Sequence, residues 1–283
     1  MQTNTLKMIV NSQIKKQVLM CAPTYFEVVY DINPMMKETL ENNIPVDPTL
    51  AMKQWKRLGT IYAEEGFEPV YIQPVKGLPD MVFTANAGFA LDGIIVMGNF
   101  KFPERKPETE YFYKWFVDND YGVVKIDEDF EGGGDSLIWK DKFIGGHGFR
   151  SDLSGVKTAA SFASFLGKKL VPLKLTDPRF YHLDTCFCPL GERALYFPQA
   201  ISPDSCEELA RLGEAIPVSE EDALLMVCNG VYLEGKNGPL FVVNGMSDWL
   251  KKEFRKWGIR VIINKTSEFQ KSGGSNRCLT LFL

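Results

Sequence analysis

Histidine, a common metal ligand in proteins, is scarce in this sequence. Only His147 and His182 occur among the 283 residues. The pair Cys186-Phe-Cys188 does not have the spacing of a zinc site, and no second pair accompanies it. The six cysteines show no disulfide-scaffold spacing, which is typical of free thiols in a reducing cytoplasm. The sequence therefore predicts a cytoplasmic protein that binds no metal and needs no cofactor.

A first testable prediction follows from this scarcity of ligands. If the protein is an enzyme, a chelator such as EDTA should leave its activity unchanged, because no pair of histidines or cysteines is spaced to hold a metal. The measurement is turnover before and after chelation. A loss of activity that one added metal restores would contradict the prediction.

Other absences exclude further classes of protein. No apolar run is long enough to cross a membrane, and no continuous apolar segment follows the N-terminal lysines, so a signal peptide is not expected. The net charge of -4 gives no basic surface for nucleic acid. The run Gly132-Gly-Gly134 matches neither a phosphate loop nor a dinucleotide loop.

A repeat is present instead. A strand, a hairpin and a helix recur at intervals of roughly fifty residues, about five times along the chain. No linker rich in proline, serine or glycine divides the repeats, so residues 1–283 are predicted to form one domain, with 1–17 as a loosely attached segment. A helix is predicted from Pro48, with Asp47 as its N-cap, to about Glu65. The partly extended stretch from Tyr25 is predicted to end at Pro34, because this proline forces Asn33 out of helical geometry.

The C-terminus carries the strongest chemical signal. Ser272-Gly-Gly-Ser-Asn276 is turn chemistry, and Leu279-Thr-Leu-Phe-Leu283 is a strand by composition. Cys278 lies at their junction, beside the cation of Arg277, where a thiolate can form and attack. Most free cysteines are instead small buried hydrophobes, and this stretch alone leaves both interpretations open.

Four further polar clusters follow apolar strands, as expected of loops that assemble one site from several repeats. These clusters are residues 31–33, 80–86, 131–135 and 181–184. His182 and Asp184 are predicted to share one face of a strand, since side chains alternate along a strand. In an isolated pair of this kind, the two side chains more often only hydrogen-bond to each other.

Together the clusters favour one chemistry. A cysteine nucleophile needs a proton shuttle, for which His182 is a candidate. The carboxylates of Glu131, Asp184 and Asp80 suit a planar, cationic guanidinium group, and such a cation beside the thiol would itself favour the thiolate. Two cations could hold a substrate carboxylate, Arg105 and Arg150.

Several motifs occur in order along the chain: Tyr25-Phe-Glu-Val-Val-Tyr-Asp-Ile-Asn-Pro-Met-Met36, Leu78-Pro-Asp-Met-Val-Phe-Thr-Ala-Asn-Ala-Gly88, Glu131-Gly-Gly-Gly-Asp135, Gly148-Phe-Arg150, Tyr181-His-Leu-Asp-Thr185 and Gly274-Ser-Asn-Arg-Cys278. They resemble the motifs of the guanidine-modifying superfamily, which includes arginine deiminase, dimethylarginine dimethylaminohydrolase, agmatine deiminase and the amidinotransferases. The resemblance runs from about Tyr25 to Leu283. The first two motifs are most similar to the bacterial arginine dihydrolase branch, next to the dimethylargininases.

The resemblance implies a five-bladed α/β-propeller, the pentein fold, built from ββαβ-type units around a central site. It implies that Cys278 is the nucleophile, that His182 is its acid and base, and that Glu131 and Asp184 partner the guanidinium or the histidine. The implied substrate-binding residues are Asp80 for the α-amino group, Arg105 and Arg150 for the α-carboxylate, and also Asn33 and Asn86.

Asn86 distinguishes branches of this superfamily. Hydrolases that stop at citrulline have an aspartate there, which anchors the cationic guanidinium, whereas an amide both donates and accepts and so tolerates a neutral ureido group. With Asn33, this favours a single catalytic domain that converts arginine to ornithine, ammonia and carbon dioxide. The alternatives are a dimethylargininase, yielding citrulline and methylamines, and an amidinotransferase. The chain ends five residues past Cys278, so only the catalytic module is expected.

A rival of another class is a non-catalytic arginine-binding protein. It would keep Asp80, Arg105 and Arg150 but would not need Cys278 together with His182. In either case the expected partner is a small molecule, arginine or an N-methylated arginine, and neither nucleic acid nor a membrane. The sequence leaves a homo-oligomer open.

Overall fold

Five three-stranded sheets contain every strand in residues 16–283, the range that this computed structural model describes. The predicted loose segment 1–17 lies outside that range except for its last two residues, of which Gln17 begins the first strand. The strands are β1 (Gln17–Cys21), β2 (Glu68–Ile72), β3 (Gly88–Leu91), β4 (Ile94–Met97), β5 (Gly122–Val124), β6 (Ser136–Trp139), β7 (Lys142–His147), β8 (Lys169–Lys174), β9 (Phe187–Leu190), β10 (Arg193–Tyr196), β11 (Ala215–Pro217), β12 (Val231–Gly235), β13 (Gly238–Val243), β14 (Arg260–Ile263) and β15 (Leu281–Phe282).

Helices connect and cover these sheets. They are α1 (Pro34–Glu41), α2 (Pro48–Glu64), α3 (Glu108–Asp118), α4 (Leu153–Ser164), α5 (Leu183–Cys186), α6 (Pro203–Arg211), α7 (Glu220–Leu224), α8 (Asp248–Lys256) and α9 (Ser267–Gln270). Among residues 16–283, none of the helices is long and apolar enough to cross a membrane.

Each sheet follows one pairing rule. Its middle strand pairs antiparallel with one neighbour and parallel with the other, as in β3-β4-β5 and β6-β7-β8. A parallel pair needs a long crossover, which α3, α4, α6 and α8 supply in the second to fifth sheets and α1 with α2 in the first. These are the ββαβ-type units that the sequence predicts, and the five-bladed α/β-propeller is confirmed.

The ring is closed by the C-terminus. β15 pairs antiparallel with β1, and Leu281 stands opposite Leu19. In each sheet, the strand that pairs antiparallel with the middle strand is here called the first strand; these are β15, β3, β6, β9 and β12. First strands of neighbouring sheets contact one another, β15 with β3, β6 with β9 and β9 with β12. They therefore form the inner wall of the propeller, and the turns that precede them lie at its centre.

Helix α2 illustrates how the outer layer is built. Asp47 caps it by accepting hydrogen bonds from the backbone N–H groups of Thr49 and Leu50, at 2.9 and 3.0 Å. Its inner face buries Leu58 and Tyr62 completely, which stabilises the fold by roughly 1.5–3 kcal/mol for each large side chain. The helix ends at Glu64, one residue before the predicted end.

Asn33 is extended, as Pro34 predicts, but sequence reasoning missed helix α1, which begins at Pro34 and which Asn33 caps by accepting from the N–H of Met36 at 2.9 Å. Two local predictions were wrong. The predicted strand from His182 is interrupted by the short helix α5, since the Leu183 N–H bonds to the Asp135 carboxylate. The C-terminal strand is limited to Leu281–Phe282. His182 and Asp184 therefore do not share a strand face.

Candidate active site

A small buried cavity is lined by most of the predicted site residues. Each of these lining side chains is at most 8% exposed. The remaining two predicted residues, Glu131 and Asp184, lie behind His182 and Cys278 and contact them directly. The predicted residues that line the cavity are Asn33, Asp80, Asn86, Arg105, Arg150, His182 and Cys278.

The repeat explains how distant residues meet here. Asn86, His182 and Cys278 lie in the turns that precede the first strands β3, β9 and β15, and Glu131 precedes β6. Because those strands form the inner wall, their preceding turns converge. Gly134, in the turn before β6, makes the approach possible: a Cβ there would collide with the Asn86 amide nitrogen and lie 3.3 Å from the His182 ring.

His182 is held by a buried carboxylate. Its Nε2 lies 2.7 Å from Oε2 of Glu131, and Nη1 of Arg150 donates to the same oxygen at 3.1 Å. Burial alone would raise the pKa of Glu131, but Arg150 and His182 hold that pKa well below its usual range. An ionised carboxylate only accepts, so Nε2 carries the shared proton and Nδ1 is the nitrogen left for chemistry.

A second carboxylate fixes this pair in place. Ser151 Oγ donates to Asp135 Oδ2 at 2.6 Å and accepts from the Glu131 N–H at 2.9 Å, while Asp135 Oδ1 accepts from the Leu183 N–H at 3.0 Å. Burial raises the pKa of Asp135 to about 6. Sequence reasoning took Asp135 only as the end of a turn motif and did not identify Ser151.

Cys278 is nearly inaccessible, at 3% exposure. Its Sγ lies 3.5 Å from Oδ2 of Asp184 and 3.1 Å from Nδ2 of Asn229. Burial and the adjacent Asp184 raise the pKa of the Cys278 thiol well above its usual value, and burial raises the pKa of Asp184 to about 7. The thiol form is therefore favoured as the site stands, and a cation placed beside these two groups would favour their charged forms.

Arg277 does not lie where its sequence position suggests. Its Nη1 donates to the Thr280 carbonyl at 2.6 Å, and its guanidinium lies 5.8 Å from the centre of the Phe282 ring. It acts on the site through Asp184, whose pKa it lowers against the effect of burial. Adjacency in sequence to Cys278 thus overstates the direct effect of this cation on the thiol.

Asn229 was missed by sequence reasoning. It precedes β12, in the fifth repeat, at the position where the other repeats carry their polar site residues. Asn-Gly is an ordinary turn signal, which hid it. The repeat itself was the signal that could have found it.

The amide of Asn86 has one fixed orientation. Its Oδ1 accepts from Nη1 of Arg105 at 2.9 Å, and its Nδ2 donates to the Glu131 carbonyl at 3.3 Å. Arg105 only donates and a carbonyl only accepts, so a flipped amide would lose both bonds. Asn86 therefore bridges two repeats and does not cap a turn.

The two arginines differ in the donors they have left. Arg105 is paired with Glu108, from Nε at 3.0 Å and Nη2 at 2.9 Å, and Nη2 also donates to the Asp80 carbonyl. One N–H of Arg105 has no partner within residues 16–283. Arg150 donates from Nη1 to Glu131 and from Nη2 to the Ile32 carbonyl. Its Nε–H and its second Nη2 hydrogen have no partner among the described residues.

Asp80 and Asn33 join the first and last segments at the cavity. Tyr30 donates to Asp80 Oδ2 at 2.9 Å and Ser272 Oγ to Oδ1 at 3.5 Å. Burial raises the pKa of Asp80, against the effect of Arg105. Asn33 Nδ2 donates to the Ser272 carbonyl at 3.1 Å while its Oδ1 caps α1. Both residues therefore fix loops as well as line the cavity.

No group of three or more histidine, cysteine, aspartate or glutamate side chains in the described part of the chain could hold a metal ion. The groups that line the cavity instead include a thiol, an imidazole, the Asp80 carboxylate and two guanidinium groups, and two further carboxylates, Glu131 and Asp184, lie behind them. This set can perform nucleophilic attack with proton transfer on a planar cation.

Comparison with known proteins identifies the family. The family model described as N,N dimethylarginine dimethylhydrolase, eukaryotic, matches residues 22–283. The N(G),N(G)-dimethylarginine dimethylaminohydrolase of Mycobacterium tuberculosis is 36% identical over 94% of this chain and 85% of its own length. The chain belongs to the dimethylarginine dimethylhydrolase family.

The chain is also similar to cyanobacterial bifunctional enzymes. The bifunctional arginine dihydrolase/ornithine cyclodeaminase ArgZ of Synechocystis is 37% identical over 94% of this chain, and the chain spans 37% of the length of that relative. The crystal structure of the N-terminal domain of ArgZ, in a mutant form bound to substrate, superposes with a TM-score of 0.86 at 36% identity, covering 95% of this chain and 98% of that domain.

Proposed function

We propose that the protein is a cysteine-dependent hydrolase of the guanidino group of arginine, which it converts to ornithine, ammonia and carbon dioxide. The observation that carries the proposal is a single buried cavity lined by Cys278 and His182, with Asp184 behind the thiol and Glu131 behind the imidazole. The similarity to arginine dihydrolases along 94% of the chain supports the same substrate.

The chemistry begins when substrate brings a guanidinium cation against Asp184 and the thiol. This cation offsets the burial that keeps Cys278 protonated, the thiol proton passes to His182, and the thiolate forms. Sγ bonds to the guanidinium carbon and the C–N bond to one terminal nitrogen breaks, with His182 supplying the proton with which ammonia leaves. His182 then takes a proton from water, the water oxygen bonds to the carbon of the thiouronium intermediate, and the S–C bond breaks to give citrulline.

Substrate recognition uses the remaining cavity residues. Arg105 and Arg150 have N–H donors left for an α-carboxylate, and Asp80 offers a carboxylate to the α-ammonium group. Asn33 holds the Ser272 carbonyl close to this end of the cavity. An arginine lacking its α-carboxylate would leave these remaining N–H donors without an acceptor from the substrate.

The second round depends on Asn86. Citrulline is neutral, so a site that anchors its ligand by charge would release it, whereas a neutral amide beside Arg105 has no such preference. Citrulline that stays can be attacked again at its ureido carbon. A second ammonia leaves, water resolves the thiocarbamate, and the resulting carbamate splits into carbon dioxide and ornithine.

Changing Asn86 to aspartate is expected to stop the reaction at citrulline. The new carboxylate would pair with Arg105, favour the cationic substrate over the neutral product, and lose the N–H bond to the Glu131 carbonyl. The wild-type protein should release ornithine with two equivalents of ammonia, and Asn86→Asp mainly citrulline with one. Products are identified by mass and ammonia is counted against arginine consumed.

Asn244→Asp is the matched control. Asn244 is also buried, accepts from the Thr266 N–H and donates to the Leu225 carbonyl, but does not line the cavity. It should keep the wild-type product ratio. A wild-type protein that stops at citrulline would refute the dihydrolase assignment.

Dimethylargininase is the second candidate, because the mycobacterial relative of that name matches 85% of its own length. Dimethylamine released from dimethylarginine far faster than ammonia from arginine would favour it. The covalent chemistry of Cys278 is the same in both cases.

We further propose that residues 1–283 act as a single catalytic domain in the cytoplasm, without nucleic acid, a membrane or a cofactor. The one ring of five sheets supports the single domain. The free thiols of all six cysteines support a reducing compartment. Light scattering of the purified protein would show whether it is a homo-oligomer.

A further inference from the structure

Asn229 has more contacts with the nucleophile segment than its place in an ordinary turn requires. Its Oδ1 accepts from two backbone N–H groups of that segment, Ser275 at 3.0 Å and Cys278 at 3.2 Å. Its backbone carbonyl accepts from the Arg277 N–H at 3.0 Å. With 0% exposure, this side chain has no contact with solvent.

The other end of the amide faces the reacting atom. Nδ2 donates to Sγ of Cys278 at 3.1 Å and to the Asp184 carbonyl at 3.0 Å. Both bonds of Nδ2 go to acceptors and both bonds of Oδ1 come from donors, so the amide orientation is fixed. The N–H group is thus aimed at sulfur by the three other hydrogen bonds of the amide.

We propose that Asn229 is a catalytic residue that stabilises the Cys278 thiolate through its Nδ2–H and aims the sulfur through its Oδ1. This inference rests on the proposed function, since it assigns a role in the same reaction. A hydrogen bond to an anion is stronger than one to a neutral thiol, so the contact favours the charged form. The same N–H would also stabilise the negative charge that returns to the sulfur when the S–C bond of the intermediate breaks.

Within residues 16–283, no charged side chain donates a hydrogen bond to the sulfur, so a neutral donor stabilises the thiolate. Asp184 faces Sγ with a carboxylate and opposes ionisation. The Arg277 guanidinium acts on Asp184 and bonds to the Thr280 carbonyl. Asn229 therefore supplies the side-chain hydrogen bond that lowers the pKa of Cys278, beside the backbone N–H contribution of the turn. The other titratable or charged groups that face the cavity are Asp80, Arg105, Arg150, Tyr181 and His182.

The test is the pH dependence with which iodoacetamide alkylates Cys278, followed by mass spectrometry of its peptide in the folded protein. Asn229→Asp keeps the Oδ acceptor for the two backbone N–H groups but removes the donor to sulfur. Asn229→Ala removes the donor without adding charge. Asn264→Asp is the matched control, because buried Asn264 bonds to Asn276 of the same segment and makes no contact with Sγ.

Both Asn229 variants should alkylate Cys278 at least about tenfold more slowly at pH 8, with the rate rising only at higher pH, as expected when an anion loses a hydrogen bond. Asn264→Asp should stay within about threefold of wild type. Equal rates and equal pH profiles for wild type and either folded Asn229 variant would overturn the inference. Alkylation needs no turnover, so this result stands even if no guanidino compound proves to be a substrate.

Discussion

Replacing Cys278 with serine is expected to abolish turnover while the protein stays folded. A serine hydroxyl has nearly the size of the thiol and can make the same contacts, donating to Asp184 and accepting from Asn229. It does not ionise in this buried position and so cannot attack the guanidinium carbon. Loss of a nucleophile should lower kcat by about 10³-fold or more. Turnover and the thermal unfolding midpoint, measured on the same preparation, separate chemistry from folding.

Cys21→Ser provides the matched control. Cys21 is as fully buried, lies in β1 and does not line the cavity. Burial raises its pKa to about 12, and because Cys21 does not line the cavity, no bound substrate cation can offset that effect. This variant should lose stability at most and keep its turnover per folded molecule. Turnover of Cys278→Ser within a few-fold of wild type would exclude Cys278 as the nucleophile.

Replacing His182 with glutamine is expected to lower kcat by about 10²- to 10⁴-fold, the range over which a general acid and base contributes. The glutamine Nε2 can occupy the place of the histidine Nε2 and donate to Glu131, so the buried carboxylate keeps a partner. What is lost is a group that can both give and take a proton. The measurement is kcat across pH.

The second histidine, His147, provides the matched control. His147 ends β7, is half-buried and does not line the cavity. His147→Gln should leave both kcat and its pH profile unchanged. If the two variants lose similar activity, or if His182→Gln keeps the wild-type pH profile, proton transfer does not run through His182.

Much of the fold could be predicted because its signals are local. Hairpins, helix caps such as Asp47 and the apolar face of α2 are each set by residues close in sequence. Their recurrence indicated about five repeated units, and the resemblance to the guanidine-modifying superfamily implied that these units are the blades of a propeller. The predicted strand through His182 failed for the opposite reason: α5 begins there because Asp135, 48 residues away in the chain, accepts from the Leu183 N–H. No local pattern contains that contact.

The site divides in the same way. Residues inside recognisable motifs, such as Cys278 and Asn86, were found, and the cavity brings them together. Asn229 was not found, because what distinguishes it from any turn asparagine is a set of contacts to residues more than forty positions away. Arg277 shows the converse error, since a neighbour in sequence need not direct its charge toward the thiol.

One measurement tests the central claim most directly. The purified protein is incubated separately with arginine, citrulline, asymmetric dimethylarginine and agmatine, and the products are identified by mass. We expect ornithine from both arginine and citrulline, and little turnover of agmatine, which has no α-carboxylate for Arg105 and Arg150. Release of ornithine from neither arginine nor citrulline, whether because nothing reacts or because only dimethylarginine is hydrolysed, would contradict the claim.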